Sequence, residues 1–420
     1  MAHVVVVGAG LGGLPTAYEL RRGSHDITVI APQSLFTFTP SLPWVALGLT
    51  SLAAIQVDFL SRLTQQGIRF VAGEVTAWDP QARTLGVGEE RLTYDYVIVA
   101  TGADLDLGAV PGLGPEGGYT QSVCTPHHAL LARQAWEEFV RRPGPLVVGA
   151  VPGASCFGPA YEFALLADFV LRKRGLRQQV PITLITPEPY AGHLGIGGMA
   201  NAADLVGRLL QQRQIRVLEN VAITEVTPTA VQLHSGEKIP FSYGMVLPPF
   251  RGAAFLRQTP GVADAKGFIP VLPTYQHPHF DSIYGVGVIT ELLPPEVTPL
   301  PVGVPKTGQM TEAMGMAVAH NIAVKLGALA GDPVTPTLEA ICFADFGTTG
   351  IVFLADPVLP QPGLGRRRAL AVQGRWVSWL KTAFEGYFLM KMRQGWAVPW
   401  FERWGLRMLG LSLVEPEGHG

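Results

Sequence analysis

Cysteine is scarce in this chain. Cys124, Cys156 and Cys342 are the three in 420 residues, too few and too far apart for a disulfide scaffold or a zinc cluster. Charge is scarce as well: Asp, Glu, Lys and Arg make up 15% of the residues, against roughly 25% in an average soluble domain. The net charge of −2 leaves no basic field to attract nucleic acid. No apolar run reaches the roughly 18 residues of a membrane-crossing helix. Strand-like VVVV starts at Val4 with no basic stretch before it, so no secretory signal is expected. In place of charge there is apolar surface, 48% of residues with a mean hydropathy of +0.26. That balance suits large buried parallel sheets, or a protein resting on a membrane. The length divides into two or three domains.

The opening HVVVVGAGLGGLPTAYELRR carries a β-branched run, then Gly8-x-Gly10-x-x-Gly13, then a helical pattern. In a strand–turn–helix of this kind the first glycine makes the turn and the second admits a pyrophosphate. The third lets helix and strand pack closely, with the helix N-terminus facing the phosphates. The next strand, DITVIAP, has Ala31 where a ribose-binding carboxylate is usual, and Ser34 offers a hydroxyl nearby. IRFVAGEVTAWD (68–79) and LTYDYVIVATGA (92–103) supply further strands. YDYVIVATG resembles the close of the FAD domain in flavoproteins with two dinucleotide-binding domains.

A second unit repeats the first. LVVGAVPGASCFGPAYEF echoes VVVVGAGLGGLPTAYEL, with Gly149 standing for Gly8 and Ala160-Tyr161-Glu162 for Ala17-Tyr18-Glu19. The second turn is two residues longer. Val151 replaces the second glycine and Ala154 the third, so a side chain stands where a pyrophosphate would approach. The repeat predicts a second Rossmann-like domain, and the substitutions predict that its NAD(P) site is lost, although Glu188 stands near the end of its second strand. Cys156 lies in the lengthened turn, close to a helix N-terminus expected to lower its thiol pKa. Cys342 is placed between a helical segment and a strand. Cys124 precedes His127-His128. Each cysteine taken alone reads as a small buried hydrophobe.

The last 55 residues hold five of the eight Trp, and nine Lys or Arg against two Glu between 365 and 412. Apolar or small residues at 376, 379, 380, 383, 384, 387 and 388 recur at helical spacing, with Arg375, Ser378, Lys381 and Glu385 on the other side. Trp400, Phe401, Trp404, Met408 and Leu411 form a second such pattern. A basic, Trp-rich amphipathic tail reads as an interfacial membrane anchor, the alternative being a helix that covers the core or a partner. Deleting residues 372–412 is expected to release the protein from membranes.

GASCFGPAYEF (153–163), PVGVPKTGQMTEAM, CFADFGTTGIVFLADP, FTFTPSLPWVALG (36–48) and IYGVGVITELLPP together resemble the sulfide:quinone oxidoreductase family, a relative of the type II NADH dehydrogenases. The resemblance implies an α/β fold of two Rossmann-like domains with parallel sheets plus a C-terminal amphipathic membrane-anchoring region. Its expected divisions are 1–110 with 265–320 for FAD, 111–264 for the degenerate second domain, and 321–420 for the quinone site and membrane contact. It implies FAD held by Gly8, Ala9, Gly10, Leu11, Gly12, Gly13, Ser34, Val75, Thr101, Gly102, Gly287, Lys306 and Gly308. Here Val288 follows Gly287 where the superfamily often has Asp.

The implied activity takes electrons from sulfide, forms polysulfide or zero-valent sulfur, and reduces a membrane quinone. By the resemblance, Cys156 and Cys342 are the redox pair and Cys124 assists, either in releasing sulfur or in holding the flavin. Glu162, His128 and His193 are titratable neighbours, and Phe343, with Phe384 or Phe388, faces the quinone. The lipid bilayer is a partner through the tail, which makes the protein monotopic; a homo-oligomer stays open. A type II NADH:quinone dehydrogenase and the flavoprotein subunit of a flavocytochrome sulfide dehydrogenase are the rival readings. A non-catalytic flavin-binding protein is a third.

Overall fold

The computed structural model describes residues 2–23, 25–197, 199–359 and 367–417. Five parallel strands form the first sheet, in the order Ile283–Gly285, Tyr96–Val99, His3–Val7, Asp26–Ala31 and Arg69–Ala72. Val4, Val5 and Val6 are fully buried, as the apolar run requires of a strand covered on both faces. The chain leaves this sheet after Val99 and returns at Ile283.

The intervening segment builds a second parallel sheet: Ile215–Leu218, Ile182–Ile185, Leu146–Ala150 and Tyr243–Leu247. Leu146–Ala150 occupies the place that His3–Val7 has in the first sheet, so the internal repeat is structural. Two short strands, Asp104–Leu105 and Phe250–Arg251, pair antiparallel where the chain passes between the sheets.

The Gly13–Arg22 helix packs against the Gly308–Lys325 helix. Their approach is close at Gly315, where a Cβ would lie 2.1 Å from Thr16 Oγ1. A third sheet is antiparallel, with strands Ala340–Asp345, Gly350–Asp356 and Arg368–Gly374. Cys342 therefore lies within a strand, not between a helix and a strand as its sequence context suggested.

The Trp376–Gln394 helix packs on the first strand of this third sheet, and the Trp400–Met408 helix follows. Three residues of the longer helix's expected polar flank dock alongside Phe388, while Arg375 of that flank is exposed. Lys381 is 2% exposed, Ser378 donates to Asp345 Oδ1, and Ser41 Oγ donates to Glu385 Oε2. Local periodicity sorts side chains by polarity, and here polar groups are buried because partners on other elements receive them. Trp376 and Trp379 face outward instead.

Candidate active site

The strands of the first sheet end together at one edge, at Gly8, Ala31, Thr101–Gly102 and Gly287. Gly8 has φ +111°, and a Cβ there would meet the Ala100 carbonyl oxygen at 2.2 Å. A Cβ on Gly13 would lie 1.9 Å from the Gly8 carbonyl oxygen. These two glycines are needed by the protein itself. At Gly10 a Cβ would find nothing within 4 Å; its bareness leaves room for a ligand, as a pyrophosphate requires.

Gly308 opens the long helix against Leu11, and Thr307 caps it by accepting the Met310 N–H at 3.3 Å. Burial lowers the adjacent Lys306 ammonium to about 8, opposed by Glu291. The edge thus offers glycine backbone, a helix N-terminus and a cation, a set that fits a dinucleotide flavin. Ser34 Oγ donates to Asp58 Oδ2 at 3.0 Å, which sets an exposed carboxylate beside the turn after the second strand. The side chain of Val75 is buried in a core, which leaves its backbone for any ligand contact.

In the second unit Val151 is fully buried, packed in a core cluster behind its turn. Glu188, the remaining carboxylate of a nucleotide site, is sealed. It accepts from Tyr161 Oη at 2.5 Å, Thr186 Oγ1 at 2.7 Å and the Leu194 N–H at 2.6 Å. Neither residue is placed to hold NAD(P).

The lengthened turn carries Cys156 instead, and the loop between the Ile283–Gly285 strand and the Gly308–Lys325 helix clasps it. The Gly303 N–H donates to the Ala154 carbonyl at 2.8 Å and the Gly153 N–H to the Pro301 carbonyl at 2.7 Å. Cys156 keeps surface open to solvent, yet protein crowds its sulfur: desolvation first, then Cys342 and Cys124, push the thiol up to about 12. The expected lowering by the helix N-terminus is overturned. A hydrogen bond from Gly158 acts in that direction and is outweighed. The helix that follows Cys156 packs on the strand that carries Cys342, where the Asp345 N–H donates to Glu162 Oε1 at 3.4 Å, although 186 residues separate Cys156 from Cys342. All three are free thiols.

Burial and the Glu162 carboxylate push the Cys342 thiol up to about 11, with Lys381 opposing. Burial raises the Cys124 thiol too, and the Ser122 hydroxyl and Val123 backbone oppose it.

Glu162 and Lys381 form a buried ion pair. Burial pulls the Glu162 pKa upward and Lys381 pulls it back. Lys381 Nζ also donates to the Pro40 carbonyl at 3.2 Å and lies 4.8 Å over the Trp44 ring. The stretch 36–48 is thereby the seat of the tail helix. Lys381 was placed on the wrong side by periodicity, and its partner across 219 residues gives no local signal.

Phe343 lies 5.0 Å from Phe384, and Phe384 4.7 Å from Phe388, between ring centroids. Phe38, which the sequence did not single out, joins them at 6.2 Å from Phe384. Phe388 is buried; Phe343 and Phe384 are half-buried.

The two histidines stand apart from this cluster. His128 Nε2 meets Glu116 Oε1 at 3.4 Å, and burial lowers its pKa. His193 is buried and pairs with Glu296 of the loop that precedes the Gly308–Lys325 helix. Its Nδ1 accepts the Gly195 N–H at 3.2 Å, so Nε2 carries the proton toward Glu296. A second buried network, also unseen in the sequence, joins Lys391 to Glu312 and Glu402, with Tyr387 Oη donating to Glu402 at 2.5 Å.

A model of the pyridine nucleotide-disulphide oxidoreductase family matches residues 2–315. The sulfide-quinone reductase of Aquifex aeolicus (strain VF5) is 42% identical over 95% of this chain and 93% of its own length. The mitochondrial sulfide:quinone oxidoreductase of Dictyostelium discoideum is 25% identical over 82% of this chain and 78% of its own. The X-ray structure of the Aquifex aeolicus sulfide:quinone oxidoreductase superposes with a TM-score of 0.94 at 40% identity, covering 100% of this chain and 98% of that one.

Proposed function

This chain belongs to the sulfide:quinone reductase family, and we propose that Cys156 and Cys342 carry the sulfur while it moves two electrons from sulfide to a quinone through FAD. One observation carries the residue assignment. The turn that lost the second nucleotide site holds a cysteine, and the helix it opens packs on the strand that carries Cys342, 186 residues away in the chain. The discontinuous first unit (1–110 with 265–320) is the FAD domain on this reading, 111–264 presents the sulfur chemistry, and 321–420 meets quinone and membrane.

FAD supplies the two-electron relay between sulfide and quinone. The remaining work falls to side chains. Hydrosulfide attacks a bridged Cys156–Cys342 pair; the S–S bond breaks, one sulfur becomes a persulfide and the other leaves as thiolate. The thiol values of about 12 and about 11 make free thiolates costly here, which favours re-forming a sulfur bridge. Lys381 steadies the leaving Cys342 thiolate, and Glu162 takes the proton given up by the persulfide. Sulfide then leaves two electrons and a proton behind for each zero-valent sulfur formed, and the quinone consumes two electrons and two protons. Phe343 and Phe384 are the exposed side of the aromatic cluster and receive the quinone ring, with Phe388 and Phe38 supporting them. Cys124 assists at the sulfur pair; His128 and His193 position the Cys124 helix start and the Cys156 turn.

The test is flavin bleaching. Cys156→Ala and Cys342→Ala each retain FAD and lose bleaching by sulfide, and the unmodified protein is not bleached by NADH. Normal sulfide bleaching in either variant removes its redox role, and bleaching by NADH restores the NADH dehydrogenase reading.

The tail brings the site to its quinone. No helix among the described residues is long and apolar enough to cross a membrane. Trp379 is 73% exposed, Trp400 78% and Trp404 61%, which suits a helix pair lying in the interface. Deletion of 372–412 is a poor test, because it strips Lys381 from Glu162 and Lys391 from Glu312, leaving buried carboxylates alone. Trp379→Ser with Trp404→Ser leaves those pairs intact and lowers vesicle co-sedimentation; undiminished binding sinks the tail's role.

A further inference from the structure

A cavity of about 520 Å³ lies between the Gly13–Arg22 helix, the Gly308–Lys325 helix and the C-terminal segment 398–414. It belongs to neither the cysteine cluster nor the glycine edge. Its lining holds three arginines, Arg22, Arg403 and Arg407, against one carboxylate, Glu19. Glu19 receives Arg22 at 3.1 Å and Arg403 at 3.4 Å, which fixes both guanidiniums at the wall. Arg407 has no carboxylate partner among the described residues. His25 lines the same cavity and is 6% exposed; its Nε2 is buried and has no hydrogen-bond partner. Arg407 beside Arg22 and Arg403 leaves surplus positive charge on the wall, which an anionic, hydrogen-bonding ligand satisfies.

The setting selects the ligand. Trp400, Trp404 and Met408 recur every fourth residue along the short tail helix, all largely exposed. Arg403 and Arg407 sit one position before Trp404 and Met408, on the adjoining flank. When the apolar stripe enters a bilayer, these arginines lie at headgroup depth. Apart from His320 and Ser412 the rest of the wall is apolar, with Leu20, Met316, Leu411 and Leu413 able to cover a glycerol backbone and the start of an acyl chain.

We propose that this cavity binds the phosphate headgroup of an anionic phospholipid and so sets the docking pose of the tail. The proposal rests on the membrane reading above.

The FAD-loaded full chain is sedimented with vesicles of phosphatidylcholine, with and without phosphatidylglycerol. Binding is expected to be tighter on the anionic vesicles. Arg407→Ala and Arg403→Ala each lower that preference about fivefold. Arg393→Ala, exposed on the longer tail helix and outside the cavity, has a smaller effect. Reduction of a water-soluble short-chain quinone by sulfide stays unchanged in all three, which shows that they fold.

Equal losses for Arg393→Ala and Arg407→Ala overturn the site, since a diffuse surface field counts charges without regard to place. Equal binding to both vesicle types overturns it and leaves the membrane reading standing; binding to neither overturns both. If inorganic phosphate at low millimolar level abolishes the anionic preference, the cavity is a free-phosphate site and the lipid assignment falls.

Discussion

Two strand–turn–helix units of common design perform opposite tasks in this chain. In the first, Gly8 and Gly13 are bare because neighbouring backbone leaves no space, and Gly10 is bare toward open space. In the second, Val151 points into a core, and two added residues lift Cys156 out of the turn. The contrast separates two meanings of glycine in a nucleotide fingerprint: some positions serve the fold and one serves the ligand. Losing the ligand-serving glycine keeps the strand and helix while freeing the turn for other chemistry. The carboxylates follow the same exchange. The first unit has Ala31 at its second strand end and Asp58 brought alongside, exposed; the second has Glu188, sealed under three donors.

The largest effect tests the glycine contrast directly. Gly10→Val puts a side chain where the first turn is open, so the purified protein should lose its flavin and its yellow colour while keeping its far-ultraviolet helix and sheet signal. The reciprocal Val151→Gly should gain nothing. NADH still does not reduce the flavin, because Glu188 is occupied and the Cys156 turn remains. If Val151→Gly confers NADH oxidation, one side chain alone separates the two units and the sealed Glu188 is irrelevant.

The next effect sets the ion pair beside Cys342 against an ordinary surface pair. Lys381→Met leaves Glu162 buried without its cation, at a cost of about 3–5 kcal/mol, read as a fall in thermal midpoint. Exposed pairs such as Arg69–Glu90 contribute about 1 kcal/mol or less. Joining Glu162→Gln to Lys381→Met recovers most of the loss. The thiol reports the same electrostatics with opposite signs. Glu162→Gln removes a like charge and lowers Cys342 from about 11, so its alkylation quickens at neutral pH. Lys381→Met raises the thiol and slows alkylation. Identical alkylation profiles in both variants would show that the pair does not act on Cys342.

These residues also mark how far the sequence could be read. The parallel sheets, the glycine turn and the internal repeat were legible because each is written in local spacing, apolar runs and glycines a few residues apart. The meeting of Cys156 with Cys342 was not written locally; only longer strings shared with a known family implied it. Lys381, Lys391 and Glu312 were missed or misplaced for one reason. A buried charge looks like a surface charge until its partner is known, and the partners lie 219 and 79 residues away. Phe38 was missed because its alternation with Phe36 reads as an ordinary buried strand face and does not name the tail helix that covers it. The tail was read as amphipathic, which it is, but its apolar and docking faces were assigned by polarity. The structure divides that apolar set between outward Trp376 and Trp379 and inward Phe384 and Phe388.

The smallest effect concerns Glu188, the carboxylate retained in the unit without a nucleotide. Burial raises it to about 7, although Tyr161, Thr186 and Leu194 all donate to it and favour its charged form. Its unfolded value is about 4.3. A carboxyl raised on folding contributes stability that is fully present below the unfolded value and is lost as pH rises through the folded one. The native protein should therefore lose on the order of 2–3 kcal/mol from this residue between about pH 4.5 and 7, and little more above that. Glu188→Gln keeps an acceptor for the Leu194 N–H and cannot ionise, so its thermal midpoint should gain on that of the native protein from pH 5 to pH 8. A flat difference for Glu188→Gln would mean that the three donors outweigh burial and hold the carboxylate charged throughout. The second unit would then keep a charged ribose-type carboxylate, and the loss of its nucleotide site would rest on Val151 and the Cys156 turn alone.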